Sequence, residues 1–440
     1  MTAEIAILNK TAVALASDSA VTISSGNQTL KIFESADKLF ELSNKQPLGV
    51  MVYNGMQFMG VPVEAVVKSF RAKCQEFQTV RAAANAFLKY LYHYVDGAPP
   101  DEIKGSISGV VVPIAHEIND AMEKALLDLI RTDGVPGSAD DFQEAQRKKF
   151  NEVLSSYRSR VADLGPASFL QRDDRKQQKR TYEQLIDEIV RESVGPIAHA
   201  YAGEIAEICK NVLNSSYISS SKTGIVFAGF GEDEIFPTLI SYEVDSVFEA
   251  KIRAFQTDEC DIDRNGKKAF VRPFAQKEMV DRFLHGLDER LQQDITRFSR
   301  EAVQKISDGI IDALDLKDDD RGGLNDLARR AEKKFIQQLQ KDAFTSFQER
   351  SRREIESMIE FMPKPELAKM AEALIDLTSI KRKVTQGMET VGGPVDVAVI
   401  SKHDGFVWVK RKHYFPKDLN SRYFERNNLP NEPHETQEED

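Results

Sequence analysis

The most informative stretch of this sequence lies near its start and has the residues Thr2-Ala3-Glu4-Ile5-Ala6-Ile7, followed by Ala12-Val13-Ala14-Leu15-Ala16-Ser17-Asp18-Ser19. Two short apolar runs, 5–8 and 12–16, are separated at Asn9-Lys10. This spacing favours a β-hairpin, although the turn signal is weaker than an Asn-Gly pair. A further apolar run at 48–53 ends at Asn54-Gly55, which predicts a buried strand.

Strand and helix patterns alternate along the rest of the chain. Apolar segments predict further strands at 30–33, 38–42, 224–230, 239–244, 250–255, 269–271, 395–401 and 406–410. Helical spacing dominates at about 61–215 and 276–383, with breaks at Gly165-Pro166, Arg321-Gly322-Gly323 and 363–365. Because strands from three distant segments can form one antiparallel core, the sequence predicts an α+β fold with αββα layers, not a doubly wound parallel sheet.

These patterns predict a discontinuous arrangement of domains. The strand-rich core comprises 1–60, 220–275 and 385–415. Two helical segments, 61–219 and 276–384, are predicted to be layers and insertions around that core. The remaining residues, 416–440, are polar and end in an acidic run, which predicts disorder.

The overall composition excludes several classes of function. The 440 residues include 59 lysines and arginines and 70 aspartates and glutamates, so the net charge of −11 argues against nonspecific nucleic-acid binding. No apolar run has the roughly 18–20 residues of a membrane span, and the first residues lack the pattern of a signal peptide. Cys74, Cys209 and Cys260 are isolated, which indicates a reducing compartment and no zinc site. We therefore expect a cytoplasmic protein that needs no metal or cofactor.

The order of these segments resembles the N-terminal half of proteasome β subunits and their bacterial, HslV-like relatives. In that family a strand begins at a catalytic threonine, and an Ala-x-Asp-Ser-like motif follows sixteen residues later, which is the spacing from Thr2 to Asp18. A lysine then opens a short strand, as Lys38 does, and a glycine-containing turn follows the next strand, as Asn54-Gly55 does. Residues 224–242 and 391–405 are similar to the central and final hairpins of the family.

The resemblance implies an N-terminal nucleophile (Ntn) hydrolase with a four-layer αββα sandwich and long helical insertions. A threonine hydroxyl is a weak nucleophile and needs a base, which the free α-amine of Thr2, with an ordinary pKa of about 7.7–8.0, could supply after removal of Met1. Lys38, held by Asp18, would stabilise developing negative charge, and the amide of Gly55 is the candidate oxyanion donor. Lys31 is the alternative to Lys38.

The chain departs from the family pattern around this trio. Matching on Gly392-Gly393 puts Met388 and Val391 where the family has an aspartate and a serine, and only a different loop would let Glu389 or Thr390 replace them. A Gly-Ser-Gly turn of the family is matched best by Pro273-Phe274-Ala275, which lacks the serine.

We therefore expect a threonine peptidase that hydrolyses peptide bonds through an acyl-enzyme on Thr2. Peptides or unfolded proteins would be its substrates, and a homo-oligomer its assembly. Because the sequence has no ATP-binding motif, any ATPase unfoldase would be a separate protein. A catalytically silent, proteasome-like interaction scaffold and a small-amide Ntn amidase are the alternatives.

Overall fold

The structure is a computed structural model that describes residues 2–25, 28–132, 139–167, 182–249, 251–314, 318–385, 391–416, 418–422 and 425. Its strands are β1 (Ala3–Asn9), β2 (Ala12–Ser17), β3 (Val21–Ser25), β4 (Gln28–Phe33), β5 (Leu39–Glu41), β6 (Leu48–Asn54), β7 (Gln57–Phe58), β8 (Val61–Pro62), β9 (Thr223–Gly229), β10 (Thr238–Phe248), β11 (Lys251–Asp261), β12 (Ala269–Ala275), β13 (Asp396–Ser401) and β14 (Gly405–Lys410).

Helices occupy the long segments between these groups of strands. They are α1 (Val63–Arg71), α2 (Val80–Tyr90), α3 (Tyr92–Asp96), α4 (Pro100–Thr132), α5 (Ala139–Asp163), α6 (Tyr182–Ser193), α7 (Ala202–Leu213), α8 (Glu278–His285), α9 (Glu289–Ala313), α10 (Asp318–Gln338), α11 (Ser346–Ile359) and α12 (Lys364–Val384). The prediction of an α+β fold built on antiparallel strands is confirmed.

Two five-stranded antiparallel sheets form the centre of the described structure. The first sheet has the strand order β12-β1-β2-β13-β14, and the second has the order β11-β10-β9-β6-β5. Strands that are distant in sequence are therefore neighbours, as in the pairing of Ala3 with Ala275 and of Asp396 with Ser17. In the first sheet, these pairings bring the start of β1 and the ends of β2 and β12 to one edge.

An apolar cluster lies between the two sheets. It includes Ala6 and Leu8 of β1 from the first sheet, with Met51 of β6 and Val226 of β9 from the second. Because successive side chains of a strand point to opposite faces, the even-numbered residues of β1 face this cluster. Thr2 and Glu4 belong to the same series at the end of the strand.

Helices cover the opposite faces of both sheets. Ile5 and Ile7 of β1 pack in a second cluster with Leu367 and Ala371 of α12. On the second sheet, the ring of Phe227 lies 5.4 Å from the ring of Phe87 in α2, within a third cluster that extends through α4–α7. The strands thus bury both of their faces, which explains their continuous apolar runs.

The structure corrects two details of the predicted elements. Helix α10 continues through Arg321-Gly322-Gly323, where a break was expected. Each glycine costs a helix about 1 kcal/mol, and the packing of α10 along α9, where Arg300 lies 3.7 Å from Glu332, opposes that cost. Strand β12 extends to Ala275 although it contains Pro273, because it is an edge strand and a proline at an edge need not break a ladder hydrogen bond.

Strands β10 and β11 are also longer than predicted, at 11 residues each. Their register shifts between Ser241 and Tyr242 and again between Val244 and Ser246. Such irregularities interrupt the two-residue alternation on which the prediction depends. In the described part of the chain, every helix is too short or too polar to cross a bilayer. Most of the predicted disordered tail at 416–440 lies outside the described residues.

Candidate active site

Three of the predicted site residues meet at one edge between the sheets. Thr2 precedes β1, Asp18 follows β2, and Lys38 precedes β5 of the second sheet. The β1–β2 pairing continues past the strand, because the Asp18 amide donates to the carbonyl of Ala3 at 3.0 Å. Antiparallel pairing therefore brings the beginning of one strand and the end of the next to the same place.

Asp18 and Lys38 form a buried ion pair. The Lys38 Nζ donates to Asp18 Oδ1 at 2.5 Å, and the two side chains are 0% and 1% exposed. The amide of Ala3 donates to Oδ1 at 3.2 Å and the amide of Gly392 donates to Oδ2 at 3.1 Å. Both carboxylate oxygens are therefore occupied, which fixes the position of the Lys38 ammonium. This is the hydrogen bond that the sequence predicted, with two backbone donors that it did not.

Glu4 is a second carboxyl group at the site, and none of the sequence patterns above assigned it a role. Its Oε1 lies 3.2 Å from the Lys38 Nζ, and both side chains are fully buried. Burial raises the pKa of Glu4 to about 7, while the charge of Lys38 opposes this rise and the charge of Asp18 adds to it. The Thr2 hydroxyl is close enough to lower that pKa slightly. An acidic residue two positions after Thr2 in an apolar strand was the available signal, because residues i and i+2 share a face.

Buried polar atoms without a hydrogen bond are concentrated at this edge. Six such side-chain atoms occur in the described ranges, and four of them are Thr2 Oγ1, both carboxylate oxygens of Glu4, and Ser17 Oγ. Ser17 lies directly opposite Glu4 in the β1–β2 register, so their side chains share the inner face of the sheet. Most buried polar groups in proteins have a partner, so this concentration marks an edge at which a further polar group could bind.

Lys31, the alternative lysine, lies elsewhere. It is exposed on β4, and its ammonium is 4.8 Å from the centre of the Phe33 ring. The lysine that contacts Asp18 is therefore Lys38.

Gly55 follows β6 in a tight contact with the segment before β9. A Cβ atom at this position would lie 2.1 Å from Thr223 Oγ1, so the contact requires glycine. The Gly55 amide donates to the carbonyl of Lys222 at 3.3 Å. In this conformation the predicted oxyanion donor is thus engaged with the protein, and it could bind an oxyanion only after this long bond opens.

A cavity of about 220 Å³ lies next to this contact. Its lining includes Thr223, the 57–60 segment, Ser106 and Ser246. The Ser246 hydroxyl is buried and makes no hydrogen bond within the described residues. The cavity therefore has hydroxyl groups on part of its wall, beside the Thr223 side chain that contacts Gly55.

The positions that depart from the family pattern lie in different surroundings. Val391 is buried in the apolar cluster beneath the first sheet, and Met388, Glu389 and Thr390 lie outside the described residues. The 273–275 segment is not a turn but the end of β12, and the amide of Gln276, the next residue, donates to the carbonyl of Thr2 at 3.1 Å. Neither a scan of protein-family models nor a search of curated proteins gave a match to this chain.

Proposed function

We propose that this chain is a proteasome-like threonine peptidase of the Ntn hydrolase type, with Thr2 as its nucleophile. The observation that carries the proposal is that Thr2 directly precedes Ala3, whose amide donates to Asp18 of the buried Asp18–Lys38 ion pair where the two sheets meet. The apolar cluster between the sheets and the helices on their outer faces support a four-layer αββα sandwich. Burial of an ion pair is expensive, so its retention beside a nucleophile favours a chemical role.

The reaction follows from the groups at this edge. With Thr2 as first residue, its neutral α-amine takes the proton of Oγ1 while Oγ1 attacks the carbonyl carbon of the scissile peptide. The Lys38 ammonium, held by Asp18, stabilises the negative charge that develops nearby. The protonated amine then gives its proton to the leaving nitrogen as the C–N bond breaks, which leaves an ester on Thr2. Water hydrolyses the ester and restores the hydroxyl.

In this conformation a substrate cannot reach the candidate site. Thr2 is 4% exposed and Lys38 is 0% exposed. The proposal therefore requires both removal of Met1, which a small second residue favours, and an opening at this edge. Opening of the hydrogen bond between Gly55 and Lys222 would also free an amide for the oxyanion.

Assembly and delivery of substrate belong to the same proposal. Peptides or unfolded proteins would be the substrates, a homo-oligomer would sequester the sites, and a separate ATPase would unfold folded substrates. Light scattering at micromolar concentration tests the oligomer, and a monomeric mass would count against it.

The direct test is intact mass spectrometry after incubation with a peptide epoxyketone, which needs the hydroxyl and the free amine of an N-terminal threonine. We expect a mass without Met1 that carries one adduct, and no adduct on Thr2→Ala. Thr11→Ala is the matched control, because Thr11 lies in the β1–β2 turn and its hydroxyl, within the described residues, donates to the Asn9 side chain at 2.8 Å. An adduct that persists in Thr2→Ala would refute the mechanism.

A catalytically silent scaffold is the second candidate, and one observation favours it. Thr2, Lys38 and the Gly55 amide are all buried or engaged in this conformation. Retained Met1 with no adduct would support the scaffold, because a blocked amine cannot act as a base. A small-amide amidase would instead form the adduct but cleave small amides in preference to peptides.

A further inference from the structure

Glu4 introduces a negative charge that the ion pair at the site does not balance. Asp18 already neutralises Lys38 at 2.5 Å and has both of its oxygens occupied by three donors. The Glu4 carboxylate lies 3.2 Å from the same ammonium but makes no hydrogen bond of acceptable geometry in the described structure. With both carboxylates ionised, the buried group carries one excess negative charge.

Such a carboxylate has two ways to become stable in a site closed to solvent. It can take up a proton, or it can acquire a cation with hydrogen-bond donors. The α-amine of a mature Thr2 is a cation of this kind. It lies two residues from Glu4 on an extended strand, and the Thr2 side chain lies on the same face as the Glu4 side chain.

We propose that Glu4 is the partner of the Thr2 α-amine, and that the carboxyl group and the amine share one proton. The inference rests on the proposed function, because it assumes that Thr2 becomes the first residue. The shared proton can reside on Glu4, which leaves the amine neutral and able to accept the proton of Oγ1. Alternatively it resides on the amine, which is then inactive as a base but paired with a carboxylate. Glu4 thus acts as a positioning residue that sets the ionisation of the base.

The surroundings of Glu4 contain few competing groups. Phe274 of β12 lies directly opposite Glu4 and cannot ionise. The Tyr53 hydroxyl donates to Glu243 at 2.9 Å, so it is already engaged. Among the described residues, the titratable groups that act on Glu4 or are affected by it are Lys38, Asp18 and Tyr53, and Arg272 lies diagonally opposite Glu4 on β12 but pairs with Asp258 at 2.5 Å. Removal of Met1 would therefore add one new charge beside Glu4, which is the α-amine of Thr2.

The test measures the pKa of the amine directly. The full chain is prepared with Thr2 as first residue, and the rate of acetylation of its amine by acetic anhydride is followed between pH 5 and 9 by mass spectrometry of the N-terminal peptide. An opposite charge within about 4–6 Å changes a pKa by about 1–3. We expect the amine of Glu4→Gln to have the lower pKa and to react at least about tenfold faster at pH 7.

Two further variants separate charge from structure. Glu4→Asp keeps a carboxylate and should retain a high amine pKa if Glu4→Gln proves poorly folded. Glu41→Gln is the control, because Glu41 of β5 is a partly buried carboxyl that faces Arg71 at 3.3 Å and not Lys38. In this variant the α-amine of Thr2 should react at the same rate as in the wild type. Equal amine pKa values in the wild type and Glu4→Gln would overturn the inference, as would equal values in Glu4→Asp and Glu4→Gln.

The rate of the epoxyketone reaction, measured on the same samples, distinguishes the two proposals. An adduct together with an unchanged amine pKa would overturn the role of Glu4 and leave the peptidase proposal intact. A changed amine pKa without an adduct would support the pairing and count against the peptidase. If both hold, the acidic limb of the pH profile for adduct formation should move to lower pH in Glu4→Gln.

Discussion

Substitution of Glu4 by glutamine should make the chain that retains Met1 increasingly stable relative to wild type as the pH rises from 5 to 8. Burial raises the pKa of Glu4 from 4.5 to about 7 in the folded protein. Because the folded state binds the proton more tightly than the unfolded state, Glu4 supports folding fully below pH 4.5. This contribution is lost as the pH rises through about 7.

The size of the effect follows from the same values. A pKa rise from 4.5 to about 7, at about 1.36 kcal/mol for each pKa unit, corresponds to about 3 kcal/mol of destabilisation once the pH exceeds 7. Glutamine cannot ionise, so its own effect on stability does not change with pH. Relative to wild type, Glu4→Gln should therefore gain about 2–3 kcal/mol in free energy of unfolding between pH 5 and pH 8.

Urea denaturation at pH 5, 6, 7 and 8 measures this difference. Glu360→Gln is the control without a pH trend, because Lys10 at 2.8 Å holds the pKa of Glu360 below its usual range, and this carboxyl is therefore largely ionised in the folded and the unfolded state from pH 5 to pH 8. The difference in free energy of unfolding between that variant and wild type should stay constant over this range. If the difference in free energy of unfolding between Glu4→Gln and wild type stays constant from pH 5 to pH 8, the reasoning is refuted. A chain prepared with Thr2 as first residue should show a weaker pH dependence, since its amine can balance the carboxylate.

Two other predictions concern the residues around Thr2. Lys38→Met should lower the free energy of unfolding by about 3–5 kcal/mol and abolish adduct formation, because it leaves Asp18 buried without a counter-ion, whereas Lys31→Met should change stability by less than about 0.5 kcal/mol. Urea denaturation measures the loss of stability in both variants, and equal losses would contradict the assignment of Lys38 as the partner of Asp18. Gly55→Ala should destabilise by about 1–3 kcal/mol, since its Cβ would lie 2.1 Å from Thr223 Oγ1, and Thr223→Ala in that background should recover part of the loss. No recovery in the double variant would show that this contact is not the cause.

Much of this protein could be predicted from local sequence patterns. Strands β1, β2 and β6 coincide closely with the predicted apolar runs, because a strand that buries both faces needs a continuous apolar segment. Asp18 and Lys38 were recognised from the resemblance of their order and spacing to the proteasome β-subunit pattern, and a hydrogen bond of 2.5 Å joins them. The strands depend on residues within a single segment, whereas the contact between Asp18 and Lys38 joins the two sheets.

Other features depend on which segments become neighbours. The amide of Gly392 reaches Asp18 across 374 residues, and the carbonyl of Lys222 occupies the amide of Gly55. No periodicity within a strand specifies such contacts, because register between distant segments is set by the packing of the whole sheet. Glu4 shows most clearly the difference between what the local sequence and what the tertiary packing determine. The sequence by itself determined that Glu4 shares a face with Thr2, but only the tertiary structure decided that its carboxylate is buried beside a lysine already paired with Asp18, because burial and charge balance arise when the sheets pack together.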